Sequence, residues 1–376
     1  MNNHIGRRLA AMSLISILLL VVAAGCNVPA VTNIGPVVAG QTSAVAGSAF
    51  PAGMEPVWVA STPDGHYVYA LNLRDGTISG WAVEATGGLV GLVGSPYQTQ
   101  LHPVGLSITP NGRFLYVAAA GMQNVTGFEI SDGGVLTPAG QPRFAGYSPS
   151  AVTVDATGTF AYVTSVQDNN LYEYRIKQSN GSLHALSGSP FIVGTAPVAV
   201  TYNPQGKFIH LVNGADSIVA TYLVDQTSGQ LSLISQSPTG SEPSAIAVTP
   251  NGKFIYTTNA GDATISELAL DRNTGVTSVL PGSPVATGLN SLGIAVDPKG
   301  KFAYATSLNS DVIWSYSIAA DGSLNRLPGQ LTLAAPRPKG VAVSPNGRYL
   351  YVTNVDSNEV SVYTISDDGS LKPLFQ

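Results

Sequence analysis

From residue 57 onward, short apolar runs recur along the chain, each broken by a turn. The most regular runs carry aromatics two apart: Tyr67/Tyr69, Phe114/Tyr116, Phe160/Tyr162, Phe208/His210, Phe254/Tyr256, Phe302/Tyr304 and Tyr349/Tyr351. On a strand, residues two apart share a face, so these side chains line one face of each strand. The residues between them (Val68, Leu115, Ala161, Ile209, Ile255, Ala303 and Leu350) are apolar as well. A strand that is apolar on both faces is covered on both faces.

Each run follows a turn: Pro63-Asp64-Gly65, Pro110-Asn111-Gly112, Ala156-Thr157-Gly158, Pro204-Gln205-Gly206, Pro250-Asn251-Gly252, Pro298-Lys299-Gly300 and Pro345-Asn346-Gly347. Proline presets φ and the Gly supplies a positive φ, so the chain reverses there. The turn glycines are spaced 47, 46, 48, 46, 48 and 47 residues apart. A strand-built period of this length predicts a β-propeller. Each copy reads as four strands: one before the turn (Val57-Trp58-Val59-Ala60), the aromatic strand, a third (Leu171 to Ile176), and a fourth after a Gly hairpin such as Asp321-Gly322-Ser323. The predicted fold is all-β: a seven-bladed propeller of four-stranded antiparallel blades. Several copies run on through Gly-Ser-Pro, as at Gly94-Ser95-Pro96, but the last stops short. Its missing continuation stands at the other end as Gly47-Ser48-Ala49-Phe50-Pro51, so the N-terminal segment is expected to close the last blade and leave no open edge.

Composition narrows the function. Charged residues make up 10% of the 376, while Gly (41) and Pro (25) are abundant, as short strands and tight turns require. The formal charge is −5 and no Lys/Arg run occurs, so nothing supplies the phosphate neutralisation of nucleic-acid binding. Residues 1–26 read as a targeting segment: Arg7-Arg8, an apolar run from Leu9 to Ala24, then Ala23-Ala24-Gly25-Cys26. This resembles a bacterial lipobox, with Ala23 where Leu is usual. It implies lipidation of Cys26 and export to the cell envelope, periplasm or cell surface, with the membrane as a partner through the lipid. The alternative is an ordinary cleaved signal, or an uncleaved anchor, with Cys26 incidental. Residues 27–42 read as a flexible tether and 43–376 as the propeller, expected to be a monomer. Cys26 is the sole cysteine, so neither a disulfide nor a thiolate metal site is available.

The aromatic strand ends in Tyr351-Val352-Thr353-Asn354, with Tyr256-Thr257-Thr258-Asn259 and Tyr162-Val163-Thr164-Ser165 close to it. This resembles the YVTN repeat family of bacterial and archaeal surface proteins. The cycle Ser344 to Asn354 followed by Asp368-Gly369-Ser370-Leu371 also resembles the lactonase (6-phosphogluconolactonase-type) seven-bladed propellers. That resemblance implies a carboxylic ester hydrolase acting on lactones.

A propeller site is expected at the channel mouth, where the chain passes into the innermost strand. That position lies ten residues before each turn Gly: Glu55, His102, Ser148, Ala196, Glu242, Asn290 and Arg337, with Lys339, Arg143 and Tyr147 on nearby loops. In lactone hydrolysis His102, Glu55 or Glu242 would act as base toward water, and Arg337 would steady the oxyanion. Asn290, Ser148, Lys339, Arg143 and Tyr147 would contact the ligand. Alternatively the ring is a solvated rim. A second ring (Asp75, Asp168, Asp216, Asp262, Asp311 and Asp356) either satisfies loop N–H groups or binds a cation, and oxygens near Glu55 and Asn290 would suit Ca²⁺. No cofactor and no metal site are assigned. Two functions compete, beside a passive structural module with no ligand. One is binding of a small sugar, a lactone or a protein at the mouth; the other is lactone hydrolysis in the same pocket. An exported protein would not meet cytoplasmic 6-phosphogluconolactone, which leaves a neutral sugar lactone open.

Overall fold

The computed structural model describes residues 48–374. The signal segment, Cys26, the tether and residues 43–47 lie outside the described residues. Seven antiparallel sheets follow one another along the chain. In blade 1 the strands, from the axis outward, are Pro56–Ser61 (A), Tyr67–Asn72 (B), Thr77–Val83 (C) and an outer strand D in two pieces, Leu89–Gly91 and Tyr97–Gln98. Strands A of blades 2 to 7 are Pro103–Ile108, Pro149–Val154, Pro197–Tyr202, Pro243–Val248, Ser291–Val296 and Pro338–Val343. Each strand A packs on the next, and blade 7 packs back on blade 1. The only helix among the described residues is a single 3-10 turn, Ala120–Met122.

The split outer strand explains Gly-Ser-Pro. At this break strand C would lose a ladder partner, and the serine hydroxyl replaces it. Ser95, Ser189 and Ser283 accept the N–H groups of Gly80, Glu173 and Glu267, each at 2.9 Å. In blades 4 and 6 the outer strand runs unbroken, as Leu231–Pro238 and Leu324–Leu333. In blade 7 the break is the chain itself. Leu371–Pro373 pairs one half of strand C (Glu359–Ile365), and Ala49–Pro51 pairs the other, with Phe50 opposite Val360. The two ends of the propeller thus share a sheet, as expected.

Strand B seals the seams. Among the described residues, the largest fully buried side chains are strand B or C aromatics and aliphatics, led by Tyr69, Tyr116, Tyr162 and Tyr256. Burying a phenol demands a partner for its hydroxyl. Tyr69, Tyr116 and Tyr256 donate to the carbonyls of Gly134, Gly181 and Gly322 in the next blade at 2.7 Å, and Tyr162 and Tyr304 reach Gly229 and Gly369 at 3.1 Å. The strand's other aromatic lies flat under the same hairpin. At Gly181 (φ 68°), an added Cβ would stand 2.5 Å from Phe114 Cδ1. This glycine is therefore required twice, for its dihedral and for its missing side chain.

Blade 4 departs from the pattern. His210 replaces the tyrosine, its Nδ1 lies 2.9 Å from Thr221 Oγ1, and its Nε2 is buried without a partner. The Gly275 carbonyl takes the Ser235 hydroxyl instead, at 3.1 Å. Burial pushes the imidazole down to about 3, so it stays neutral. His210 is core packing, as its place on strand B predicts.

Candidate functional site

The strand-A position that opens the mouth has an unusual backbone. Glu55, His102, Ala196, Glu242, Asn290 and Arg337 adopt left-handed φ values of 55°, 53°, 52°, 51°, 56° and 56°; Ser148 does not. Non-glycine residues avoid this region unless their surroundings fix them there. Here the carbonyl side is held in every blade, and the N–H side by the preceding blade in three. The carbonyls of Glu55, His102, Ser148, Ala196, Glu242, Asn290 and Arg337 accept N–H groups from the B–C loop of their own blade, at 2.8–3.1 Å. On the other side, the N–H groups of Glu55, Ala196 and Arg337 donate to Asn358, Asn169 and Asp311 of the preceding blade at 2.8, 2.9 and 2.8 Å. The main chain does the structural work at these positions, which leaves their side chains free to differ.

The aspartate ring divides accordingly. Asp75, Asp216 and Asp262 accept the N–H groups of Met54, Thr195 and Ser241, at 2.6, 2.5 and 2.8 Å. Asp168 accepts the hydroxyls of Ser165 and Tyr172. Asp356 pairs with Arg337 at 3.2 Å. The carboxylates are thus spent on loop N–H groups, hydroxyls and a guanidinium. Among the described residues, no three His, Cys, Asp or Glu side chains gather closely enough to hold a metal ion.

The predicted site residues separate into groups. Glu55, Arg337 and Lys339 come together across the seam between blades 1 and 7. Lys339 is not on a loop, contrary to the expectation from sequence. It is the second residue of strand A in blade 7, where the pairing with strand B is bulged. A bulge re-aims a side chain; Lys339 is half-buried, at the strand position whose counterparts Val104, Ser150, Val198 and Ser244 line the channel cavity. Burial and the Arg337 guanidinium push its ammonium down to about 8, against the opposing pull of the Glu55 carboxylate. Arg337 is the less available cation, because Asp356 occupies it. His102 and Glu242 are exposed, on blades 2 and 5, and Asn290 and Ser148 are half-buried. Among the described residues, none of these four makes a hydrogen bond or ion pair with Glu55 or Lys339.

Arg143 also lies in a strand, the outer piece Arg143–Phe144 of blade 2, and its Nε donates to the Leu183 carbonyl at 2.9 Å. Tyr147 is 58% exposed and meets Phe144, 53% exposed, edge to face at 5.7 Å. Phe144 in turn abuts Tyr172 at 5.7 Å, whose hydroxyl is tied to Asp168 at 2.7 Å. Phe144 and Tyr172 escaped the sequence reading because neither occupies a repeat-defining position. The exposed aromatic pair therefore rests on an anchored one beside Ser148.

Below the mouth the channel narrows to a cavity of about 60 Å³ walled by Val104, Leu106, Val198, Ile246, Ser150 and Ser244. Both serine hydroxyls donate at 2.8 Å, to the carbonyls of Pro197 and Ser291, and so stitch neighbouring inner strands. A wider recess of about 370 Å³ lies at the opposite rim around Arg113 and Glu129, which are already ion-paired at 2.9 Å.

The seven-bladed lactonase β-propeller model matches residues 37–144, 136–244 and 276–376. Among solved structures, a candidate 6-phosphogluconolactonase of Bacteroides fragilis is similar at 20% identity, over 80% of this chain and 87% of that one, with a TM-score of 0.69. The periplasmic gluconolactonase of Pseudomonas aeruginosa is similar at 19% identity, over 80% and 88%, with a TM-score of 0.67. The hydrazine synthase of Kuenenia stuttgartiensis is similar at 19% identity, over 86% and 99%, with a TM-score of 0.64. Likeness at these identities speaks to the fold alone, since one architecture serves unrelated chemistries. No curated protein matches the chain.

Proposed function

This chain belongs to the lactonase family of seven-bladed β-propellers, and we propose that it is an exported, lipid-anchored lactonase acting on a neutral sugar lactone at its channel mouth. One observation carries the reading: at the seam of blades 1 and 7, a carboxylate (Glu55) acts on an ammonium (Lys339) that has no hydrogen-bond partner among the described residues. The reaction needs those two groups. Glu55 takes a proton from water as the water oxygen bonds to the lactone carbonyl carbon. Lys339 stabilises the negative charge that develops on the carbonyl oxygen. The ring acyl–oxygen bond then breaks, and the departing oxygen takes the proton from Glu55, giving the open hydroxy acid. Relative to the sequence expectation, Lys339 replaces Arg337 as the oxyanion partner, because Asp356 already holds Arg337.

Export is supported by Ala23-Ala24-Gly25-Cys26, which resembles a lipobox. The test is a pH-stat assay of neutral aldonolactones. Glu55→Gln and Lys339→Met should each lower kcat by about 10²-fold or more; turnover unchanged in both removes the assignment. A second reading, recognition of a larger carbohydrate or protein at the mouth, is favoured by the exposed Phe144–Tyr147 pair. In that case a glycan array or envelope pull-down should lose its signal in Tyr147→Ala.

A further inference from the structure

We propose that Lys339 is a carboxylate-binding residue and that the channel mouth retains the open-chain sugar acid formed by lactone opening. The inference rests on the reading of the mouth given above and deepens it. Among the residues of the seven inner strands, Lys339 alone carries a formal charge. An ammonium enclosed by protein is ordinarily paired, yet among the described residues Lys339 Nζ has neither a hydrogen bond nor an ion pair.

The channel cavity is walled by Trp58, by aliphatic side chains, and by Ser150 and Ser244, whose hydroxyls donate to backbone carbonyls, so no charged side chain lines it. The carboxylate across the seam, Glu55, favours the protonated amine without forming a salt bridge to it. Among the described residues the three N–H donors of Lys339 are therefore unspent. A lactone offers them a neutral carbonyl oxygen. Its hydrolysis product offers a carboxylate, and charge-assisted hydrogen bonds are roughly twice as strong as neutral ones. The same group that steadies the oxyanion thus holds the product more tightly than the substrate. Glu55 repels that carboxylate and limits how tightly it is held.

The test is isothermal titration of the full chain with D-gluconate near neutral pH. Binding is expected in the unmodified protein, with Lys339→Met weakening it about tenfold or more and Lys339→Arg restoring most of it. Glu55→Gln should tighten it several-fold by removing the opposing charge. Equal binding in unmodified protein and Lys339→Met, or no binding at all, overturns the inference. So does displacement of gluconate by inorganic phosphate at lower concentration than by acetate, which would mark a phosphate site. The hydrolase reading fails separately. If gluconate binds through Lys339 while no lactone turns over, the product site stands and catalysis falls. If lactones turn over without measurable gluconate binding, the reverse holds.

Discussion

His210 makes acid sensitivity a readable property of one blade. Its imidazole is fully buried, with a pKa pushed down to about 3 from an ordinary 6.5 by loss of solvation. The unfolded chain therefore binds a proton below pH 6.5 that the folded protein refuses until pH 3. Between those values the unfolded state holds more protons, so stability falls as pH falls. Each pH unit in that window costs about 1.4 kcal/mol. From about pH 7 to about pH 4.5 the loss assigned to His210 is about 2.5 kcal/mol. The perturbation is His210→Gln, which keeps a polar partner for Thr221 and cannot ionise in this range. The assay is equilibrium urea unfolding of both proteins at the two pH values. Contributions from every other group cancel in the difference, leaving the unmodified protein about 2.5 kcal/mol more acid-sensitive than the variant. Equal acid sensitivity in the two proteins, within about 0.5 kcal/mol, would refute the claim that this ring is held neutral in the seam.

Glu173 acts with the opposite sign. Buried in blade 3, with Oε1 unpaired, its carboxyl is pushed up to about 7, so the folded state gains stability as pH falls toward 4.5. Glu173→Gln should accordingly stabilise the protein by about 3 kcal/mol above pH 7, and by progressively less toward about pH 4.5, in the same urea assay. Gly181→Ala should cost about 2–4 kcal/mol, from the left-handed dihedral and the collision with Phe114, read as a lowered urea midpoint. Asn213 is buried with neither amide atom bonded, because Ile218 and Ala220 stand where Thr264 and Ser266 serve Asn259 at 2.8 and 2.9 Å. Ala220→Ser should return one partner and raise stability by about 1 kcal/mol, visible as a higher thermal midpoint.

The number of blades was legible because it rests on a demand no single copy can meet. A strand such as Phe114–Ala119 is buried along its whole length, and only a neighbouring sheet on each side can cover it. The closure was legible for the same reason. The fragment Ala49-Phe50-Pro51 stands where Tyr97-Gln98 stands in blade 1, and Phe50 faces Val360 as Tyr97 faces Ile78. The YVTN asparagine was visible as a motif, but its work was not. Asn72 and Asn259 spend both amide protons on hydroxyls of strand C, and Asn354 spends one. The motif marks a blade corner and carries no chemistry.

The mouth was harder to read, because a one-residue difference decides it. Counting back from the turn glycine found the ring of Glu55, His102 and Arg337, and the structure shows why that ring varies: its carbonyls are pinned by the B–C loops, so no particular side chain is demanded. Lys339 lies two positions further along the same strand, where the other blades carry Val57, Val104, Ser150, Val198, Ser244 and Leu292. Its charge is conspicuous only once these positions are known to be bulged into the lumen, and a bulge in a strand has no sequence signature when proline rather than glycine precedes it. A repeat therefore reveals function less by where its positions vary than by where an uncharged position takes a charge once. In this propeller that happens in the seam of blades 1 and 7, beside the one mouth carboxylate that acts on the intruding charge.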